Sequence, residues 1–168
     1  MSSDDASRRG LASPPCYAAE FPGYFGDASL APEVVARLNA LLEAERAGAK
    51  VLRLLARELP DDAPARALLE SVCDDEGDNA VALYRTIRRL GAEASAVTGA
   101  FVEKTLAIEG LEARLRFVNT GQQWVVRKID ELLPLVHDGE ARAMLDAMRQ
   151  SHRDNIAACD AFLATVHR

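Results

Sequence analysis

Four long segments of this chain repeat their apolar residues with the 3.6-residue period of an amphipathic α-helix, and this periodicity restricts the fold more than any other feature. The segments cover residues 33–59, 64–90, 100–133 and 140–166, and residues 92–99 form a loop. Ala and Leu are abundant, whereas aromatic residues make up only 5% of the chain, a composition that favours helices over strands. We therefore predict an all-α fold in which four antiparallel helices form a bundle.

Proline and glycine mark the predicted helix ends. Pro32 and Pro64 stand in the first turn of their helices, where the missing N–H costs no hydrogen bond. Gly91 follows the second helix as a C-terminal cap. In the third helix, Thr120-Gly121 predicts a bend and Pro134 predicts the end.

The chain divides into a tail and one helical domain. Residues 1–31 contain Ser-Pro-Pro and Pro-Gly without a helical period, which predicts an extended or partly disordered tail, and residues 32–168 form the bundle domain. Spaced aromatic residues predict that the tail lies over the bundle or over a partner subunit. These residues are Tyr17, Phe21, Tyr24 and Phe25.

Charge and cysteine content exclude several classes of protein. A net charge of -6 and no purely basic stretch argue against nucleic-acid binding. No segment has the ~20 apolar residues of a membrane span, and the N-terminal residues MSSDDASRRG lack the apolar region of a signal peptide. We therefore predict a cytoplasmic protein without a membrane partner. The widely spaced Cys16, Cys73 and Cys159 form neither a disulfide framework nor a zinc ribbon, and the last two are predicted in the core.

Several ionisable residues lie inside the apolar stripes of the predicted helices. Glu45, Glu76 and His152 each have apolar neighbours within about 60° on the helical wheel. Glu112 lies at the edge of the third stripe, about 75° from its centre. A buried carboxylate or imidazole is costly unless it is paired, hydrogen-bonded or bound to a metal. These four residues therefore predict a site inside the bundle.

This layout resembles the ferritin-like superfamily. Its di-iron members place one Glu on each of two helices and a Glu-x-x-His motif on each of the other two. In this resemblance Glu45 and Glu112 stand for the single glutamates, whereas Glu76–Asn79 and Arg149–His152 stand for the two motifs. Stretches such as LLEAERAGAK and TGQQWVVRK are also similar to bacterial ferritin-like domains. The resemblance covers residues 33–166 and implies a ferritin-like four-helix bundle.

The sequence departs from the di-iron pattern at two positions. Asn79 stands where the pattern has His, and Arg149 stands where it has Glu. Because carboxylate oxygens suit Fe and Mn and imidazole adds affinity, the remaining set predicts one Fe or Mn ion that supports oxidation of a small substrate. The metal ligands implied are Glu45, Glu76, Glu112 and His152.

A second interpretation keeps the fold without the metal. Arg149 then pairs with Glu76 or Glu45. Buried polar residues complete a network that fixes the register of the helices, and the function becomes assembly or small-ligand binding. These residues are Asn79, Asn155 and His152. The sequence leaves both interpretations open, and it does not identify a substrate or show that the chain is an enzyme.

The third helix also carries a side that is apolar enough to predict a homodimer contact. Its residues are Phe117, Trp124, Val125 and Leu132. Trp124, which lies next to two glutamines, is compatible with stacking on a ligand, but core or dimer packing is the favoured interpretation.

Overall fold

The computed structural model describes residues 31–166, which form five α-helices and one short 3₁₀ helix without a β-strand in this range. The helices are α1 (Pro32–Arg57), α2 (Pro64–Arg89), α3 (Phe101–Leu106), α4 (Leu111–Leu132) and α5 (Gly139–Val166), with the 3₁₀ helix at Leu133–Leu135. The all-α prediction is confirmed. Residues 1–30 and 167–168, which include most of the predicted tail with its aromatic residues and Cys16, lie outside the described residues.

The four long helices pack around one interior. α1 lies against α2 and α4, and α5 lies against α4 and α2. Buried apolar side chains form two clusters. The first contains Leu38, Leu42, Leu83, Ile87, Ile129, Leu132 and Leu145. The second contains Val51, Leu55, Leu69, Leu115, Val118 and Leu163. Along the chain, α1 and α5 run from the first cluster to the second, whereas α2 and α4 run from the second to the first. The contacts that α1 and α5 each make with α2 and α4 are therefore antiparallel.

The predicted caps at the ends of α1 and α2 are present. Proline occupies the first turn of each helix, as the sequence predicts. Gly91 has a φ of 76°, in the left-handed region that favours glycine. Its N–H donates to Arg88 O at 3.1 Å, and the N–H of Ala92 donates to Ile87 O at 3.0 Å. These bonds form a Schellman motif, which satisfies carbonyls that the end of α2 would otherwise leave without donors.

The third helical segment is not continuous, so the prediction of one helix over residues 100–133 is wrong. The chain leaves the helical conformation after α3 and re-enters it at Leu111. Gly110 has a φ of 82°, which a residue with a side chain rarely adopts, and it makes the break possible. Arg114 fixes the turn, because its Nε donates to Ile108 O at 2.7 Å and its Nη2 to Leu106 O at 3.2 Å.

Gly121 lies within α4 without a break in the helix, so the predicted bend at Thr120-Gly121 does not occur. The glycine instead gives α3 room to pack on α4. A Cβ at Gly121 would lie 2.8 Å from Cζ of Phe101. Phe101 also stacks on Phe117, with ring centroids 5.0 Å apart. The absence of a side chain at Gly121 therefore positions an aromatic pair between the short and the long helix.

The loop at residues 92–99 is confirmed, and side chains of α1 hold it. Ser95 is the centre of this contact: its N–H donates to Asn39 Oδ1 at 2.7 Å, and its hydroxyl donates to Glu43 Oε1 at 2.6 Å. The N–H of Gly99 donates to the carbonyl of Glu43 at 3.2 Å. These bonds hold residues 92–99 against α1. The helix that follows the loop, α3, also packs on α1.

Two predictions about the core have different outcomes. Cys73 and Cys159 are buried, as predicted, and both are free thiols. The apolar side predicted as a homodimer contact is not an exposed surface. Two of its residues, Leu132 and Val125, are only 0% and 5% exposed within the single chain, so this part of the prediction is wrong. Phe117 and Trp124 are only partly buried. Homodimer formation itself stays a prediction.

The described helices include none that is both long and apolar enough to cross a membrane.

Asp138 caps α5, and we expect this cap to make stability depend on acid pH. Arg89 donates to the carboxylate at 2.6 and 3.1 Å, and the N–H of Ala141 donates at 2.7 Å. The guanidinium, followed by the backbone donor, lowers the pKa of Asp138 to about 2. Its stabilisation is therefore complete above the ordinary pKa of 3.8 and is lost as the pH falls through 2. Urea unfolding from pH 7 to pH 2 should show wild type and Asp138→Asn converging at the acid end. A stability difference that persists unchanged at pH 2 would contradict this assignment.

Candidate functional site

Each of the four long helices contributes one buried polar side chain to a polar layer in the interior. The layer consists of Glu45 on α1, Glu76 on α2, Gln122 on α4 and His152 on α5, which are 1%, 5%, 2% and 1% exposed. In every helix this residue lies between the part that enters the first apolar cluster and the part that enters the second. The polar layer therefore crosses the interior between two apolar regions.

A continuous chain of hydrogen bonds joins the members of the polar layer. Nε2 of Gln122 donates to Oε1 of Glu76 at 2.5 Å. The amide oxygen of Gln122 makes a short contact with Nδ1 of His152. On the other side of the ring, Nε2 of His152 lies 3.0 Å from Oε1 of Glu45. The order Glu45–His152–Gln122–Glu76 links all four helices through side chains alone.

The orientation of Gln122 determines which ring nitrogen of His152 carries a proton. Since the amide nitrogen of Gln122 faces Glu76, its oxygen must accept, and Nδ1 of His152 is the donor. Nε2 and the Glu45 carboxylate then share one further proton across 3.0 Å. The pair is either imidazolium with carboxylate or imidazole with carboxylic acid. Either form lets Glu45 and His152 exchange a proton over one hydrogen bond.

Glu76 favours its neutral form. Burial, followed by the nearby negative charge of Glu45 and then of Asp75, raises the pKa of Glu76 well above its ordinary value. A neutral carboxyl group can donate a hydrogen bond as well as accept one. The polar layer thus combines an acid on α2 with a proton-sharing pair between α1 and α5.

Gly48 makes space for the Glu76 carboxyl group. A Cβ at Gly48 would overlap Oε2 and Cδ of Glu76 and would lie 2.8 Å from Oε1. Glu76 therefore packs directly on the backbone of α1, one turn after Glu45. This notch on α1 brings the two acidic side chains close to each other.

A cavity of about 470 Å³ reaches from the surface to the polar layer, and all four members of the layer line it. Its other walls are mainly aromatic and small apolar side chains: Phe101, Phe117, Trp124, Val118, Ala44 and Gly121. The exposed Lys104 and Arg127 and the half-buried Glu43 stand at its rim. Oε2 of Glu45 is buried at this site and has no hydrogen-bond partner among the described residues. The cavity therefore combines an apolar body with one unsatisfied acceptor.

The structure brings together three of the four predicted metal ligands. Glu45, Glu76 and His152 all belong to the polar layer, as their positions within the apolar stripes indicate. Glu112 does not join them. It lies in the first turn of α4, its side chain is 39% exposed, and it forms an ion pair with Arg116 at 3.0 Å.

The predicted pairing of Arg149 with Glu76 or Glu45 is wrong. Its guanidinium instead forms ion pairs with Asp130 and Asp146, each at 2.6 Å. These two carboxylates pair with the cation at the partly exposed surface, where the charge avoids the cost of burial.

Asn79 and Asn155 also lie outside the hydrogen-bonded chain of the polar layer. The side-chain nitrogens of both residues are buried without a hydrogen-bond partner in the part of the chain that the structure describes. Neither amide therefore completes the predicted network, although His152 does take part in one.

Gln122 is the site residue that the sequence interpretation missed. It lies seven residues after Leu115, four after Val118 and three before Val125, in the middle of the apolar stripe of α4. The same helical wheel that identified Glu45 and Glu76 contains this signal.

The side-chain types of the polar layer suit a metal ion, but the way these side chains are hydrogen-bonded to one another does not. Two carboxylates and an imidazole suit Fe or Mn, and Glu45 has a free oxygen. However, Gln122 engages both Glu76 and His152. Within residues 31–166, no three His, Cys, Asp or Glu side chains converge closely enough to share an ion.

Comparisons with known proteins identify a family and no relative of known function. No curated protein and no solved structure matches the chain significantly. A family model described as a domain of unknown function, DUF6306, matches residues 32–161, which contain α1 to α4 and most of α5. All four members of the polar layer lie within this match, and the chain therefore belongs to the DUF6306 family.

Proposed function

We propose that this protein is a ferritin-like four-helix bundle that binds a small molecule in the cavity beside the polar layer. The antiparallel contacts of the four long helices, each with one inward polar residue at the same level, support the ferritin-like part of the proposal. One observation carries the functional part: the cavity is lined by Glu45, whose Oε2 is buried without a hydrogen-bond partner among the described residues. Ligand sites commonly have this form, with an apolar pocket and a few placed polar groups.

The two parts of the cavity have separate roles in binding. The side chains of Phe101, Phe117 and Trp124 offer apolar area to the body of a ligand. Glu45 orients the ligand, because its free Oε2 needs a donor that the surrounding side chains do not supply. Since Oε1 of the same carboxylate shares a proton with His152, the site also has the groups for general acid–base chemistry.

Trp124 provides a direct test of small-molecule binding. It is the only tryptophan in the sequence, and it lines the cavity. A chemically diverse set of small molecules should contain compounds that change its fluorescence saturably. The substitution Ala44→Phe, which adds bulk to the cavity wall, should abolish this response.

The matched control is Ala157→Phe, which adds the same bulk to an exposed position of α5. It should leave the fluorescence response intact. Circular dichroism of both variants would establish that they are folded. The proposal fails if no compound produces a saturable response, or if Ala44→Phe binds as well as wild type does.

A single Fe or Mn ion held by Glu45, Glu76 and His152 is the second candidate. The free oxygen of Glu45 next to another buried carboxyl group favours it, because a divalent cation would neutralise two carboxylates. This candidate requires Glu76 or His152 to leave Gln122.

Elemental analysis of protein purified without a metal-affinity tag tests the second candidate. Stoichiometric Fe or Mn that is lost in Glu76→Ala would support it. Absence of both metals after anaerobic loading with Fe(II) would exclude it. Metal retained in His152→Ala would show that the imidazole is not a ligand.

A further inference from the structure

We propose that the ligand of the cavity is an organic cation, a protonated amine on an aromatic or aliphatic body, which donates to Oε2 of Glu45. This inference rests on the proposed small-molecule function and specifies the chemical class of the ligand. Three features of the site carry it: the free acceptor, the absence of a Lys or Arg partner beside it among the described residues, and the aromatic walls.

The acceptor selects for a hydrogen-bond donor. Oε2 of Glu45 belongs to a side chain that is only 1% exposed, and its sister oxygen is already engaged by His152. A buried carboxylate oxygen without a donor costs free energy, and a ligand that supplies a donor recovers it. A ligand with only acceptors, such as a carboxylate or a ketone, would leave this oxygen unsatisfied and place two acceptors against each other.

No Lys or Arg side chain is paired with this acceptor among the described residues, so the position next to it is open to a cationic donor. The polar layer contains two acidic side chains and one imidazole. Among the described residues, neither Glu45 nor Glu76 forms an ion pair with a Lys or Arg side chain. The layer therefore carries no permanent positive charge, and a protonated amine can supply one next to Glu45. A charge-assisted hydrogen bond is also roughly twice as strong as one from a neutral donor.

The aromatic walls of the cavity also favour an organic amine as the ligand. Trp124 and the stacked pair of Phe101 and Phe117 line the same cavity. Aromatic faces attract ammonium groups and also pack against the apolar body that carries them. The cations at the rim, Lys104 and Arg127, are exposed, so water and salt screen their repulsion of an incoming amine.

Three probes of nearly equal shape separate charge from size: 2-phenylethylamine, 2-phenylethanol and 3-phenylpropionate. Titration at pH 7, followed by Trp124 fluorescence and calorimetry, should show the amine binding about tenfold more tightly than the alcohol, with the carboxylate weakest. In Glu45→Gln the preference for the amine over the alcohol should disappear. In Glu103→Gln, which removes the same charge from an exposed position of α3, the preference should persist.

The outcomes separate this inference from the proposed function. Equal affinity for the amine and the alcohol, or tighter binding of the carboxylate, would overturn the inference while small-molecule binding stands. Loss of the amine preference in Glu103→Gln as well as in Glu45→Gln would assign the effect to overall charge and would also overturn it. The comparison of the three probes on the wild-type protein tests the inference without depending on the stability of any variant.

Discussion

Replacing Gly48 by Ala is expected to lower the free energy of unfolding by about 1–3 kcal/mol. In an ordinary helix the same substitution would raise the free energy of unfolding, because Ala is favoured over Gly by about 1 kcal/mol. At Gly48 the new Cβ would overlap the carboxyl group of Glu76, which is hydrogen-bonded to Gln122. To avoid the overlap, Glu76 must leave Gln122 for the adjoining cavity or α1 must move away from α2, and either change breaks a buried contact.

Gly77 provides the matched control for this experiment. It also lies inside a long helix, but a Cβ there would meet no atom within 4 Å. Gly77→Ala should therefore raise the unfolding free energy by about 0.5–1 kcal/mol. Urea unfolding of the two variants should give opposite signs. Adding Glu76→Ala to Gly48→Ala should recover part of the loss, because the overlapping atoms are then removed. Stabilisation by Gly48→Ala alone would show that Glu76 does not occupy the notch.

Helix content and helix ends could be predicted because they depend on local sequence. The apolar period identified the four long helices, and Pro32, Pro64 and Gly91 act at the positions where they stand. The break between α3 and α4 could not be predicted in the same way. Residues 107–110 interrupt an otherwise helical pattern, and the packing of Phe101 on Gly121 and the bonds from Arg114 hold the resulting turn. The packing of Phe101 on Gly121 depends on tertiary structure, and the bonds from Arg114 form only once the turn itself exists.

The apolar period correctly predicted that three of the candidate residues are buried. Glu45, Glu76 and His152 lie at the centres of their stripes, and all three are buried in one layer. Glu112 was included although it lies only at the edge of its stripe, and the resemblance then gave it the role of a metal ligand. The buried position on α4 belongs to Gln122, which is ten residues later and carries no charge. Arg149 was likewise placed in the core by its position in a motif, although two nearby aspartates pair with it at the surface.

The neutral amide at Gln122 changes what the layer can do. An acid at this place would add a third carboxylate and favour a cation bound among all of them. An amide instead donates to Glu76 on one side and accepts from His152 on the other. It therefore joins two ionisable groups without adding charge, and Oε2 of Glu45, beside the cavity, is left without a hydrogen-bond partner among the described residues.

Removing the imidazole of His152 is expected to have the largest effect on stability, a loss of about 3–5 kcal/mol in His152→Ala. The truncation leaves Oε1 of Glu45 and the amide oxygen of Gln122 without their partner in the core. Both groups then bear the cost of burial without a hydrogen bond. His137→Ala is the control, because His137 is exposed in the turn before α5. We expect it to change the unfolding free energy by less than about 0.5 kcal/mol.

The double variant Glu45→Leu/His152→Leu tests whether the polar layer serves the stability of the fold or the binding of a ligand. Apolar residues of similar size often replace a buried polar pair with no loss of stability, so the double variant should be clearly more stable than His152→Ala. It should also lose the Trp124 response to amines, because the free acceptor is gone. Stability without binding would mean that Glu45 and His152 are retained for the ligand and not for the fold. A loss below about 1 kcal/mol in His152→Ala would contradict the premise that the imidazole is the essential partner of Glu45 and Gln122.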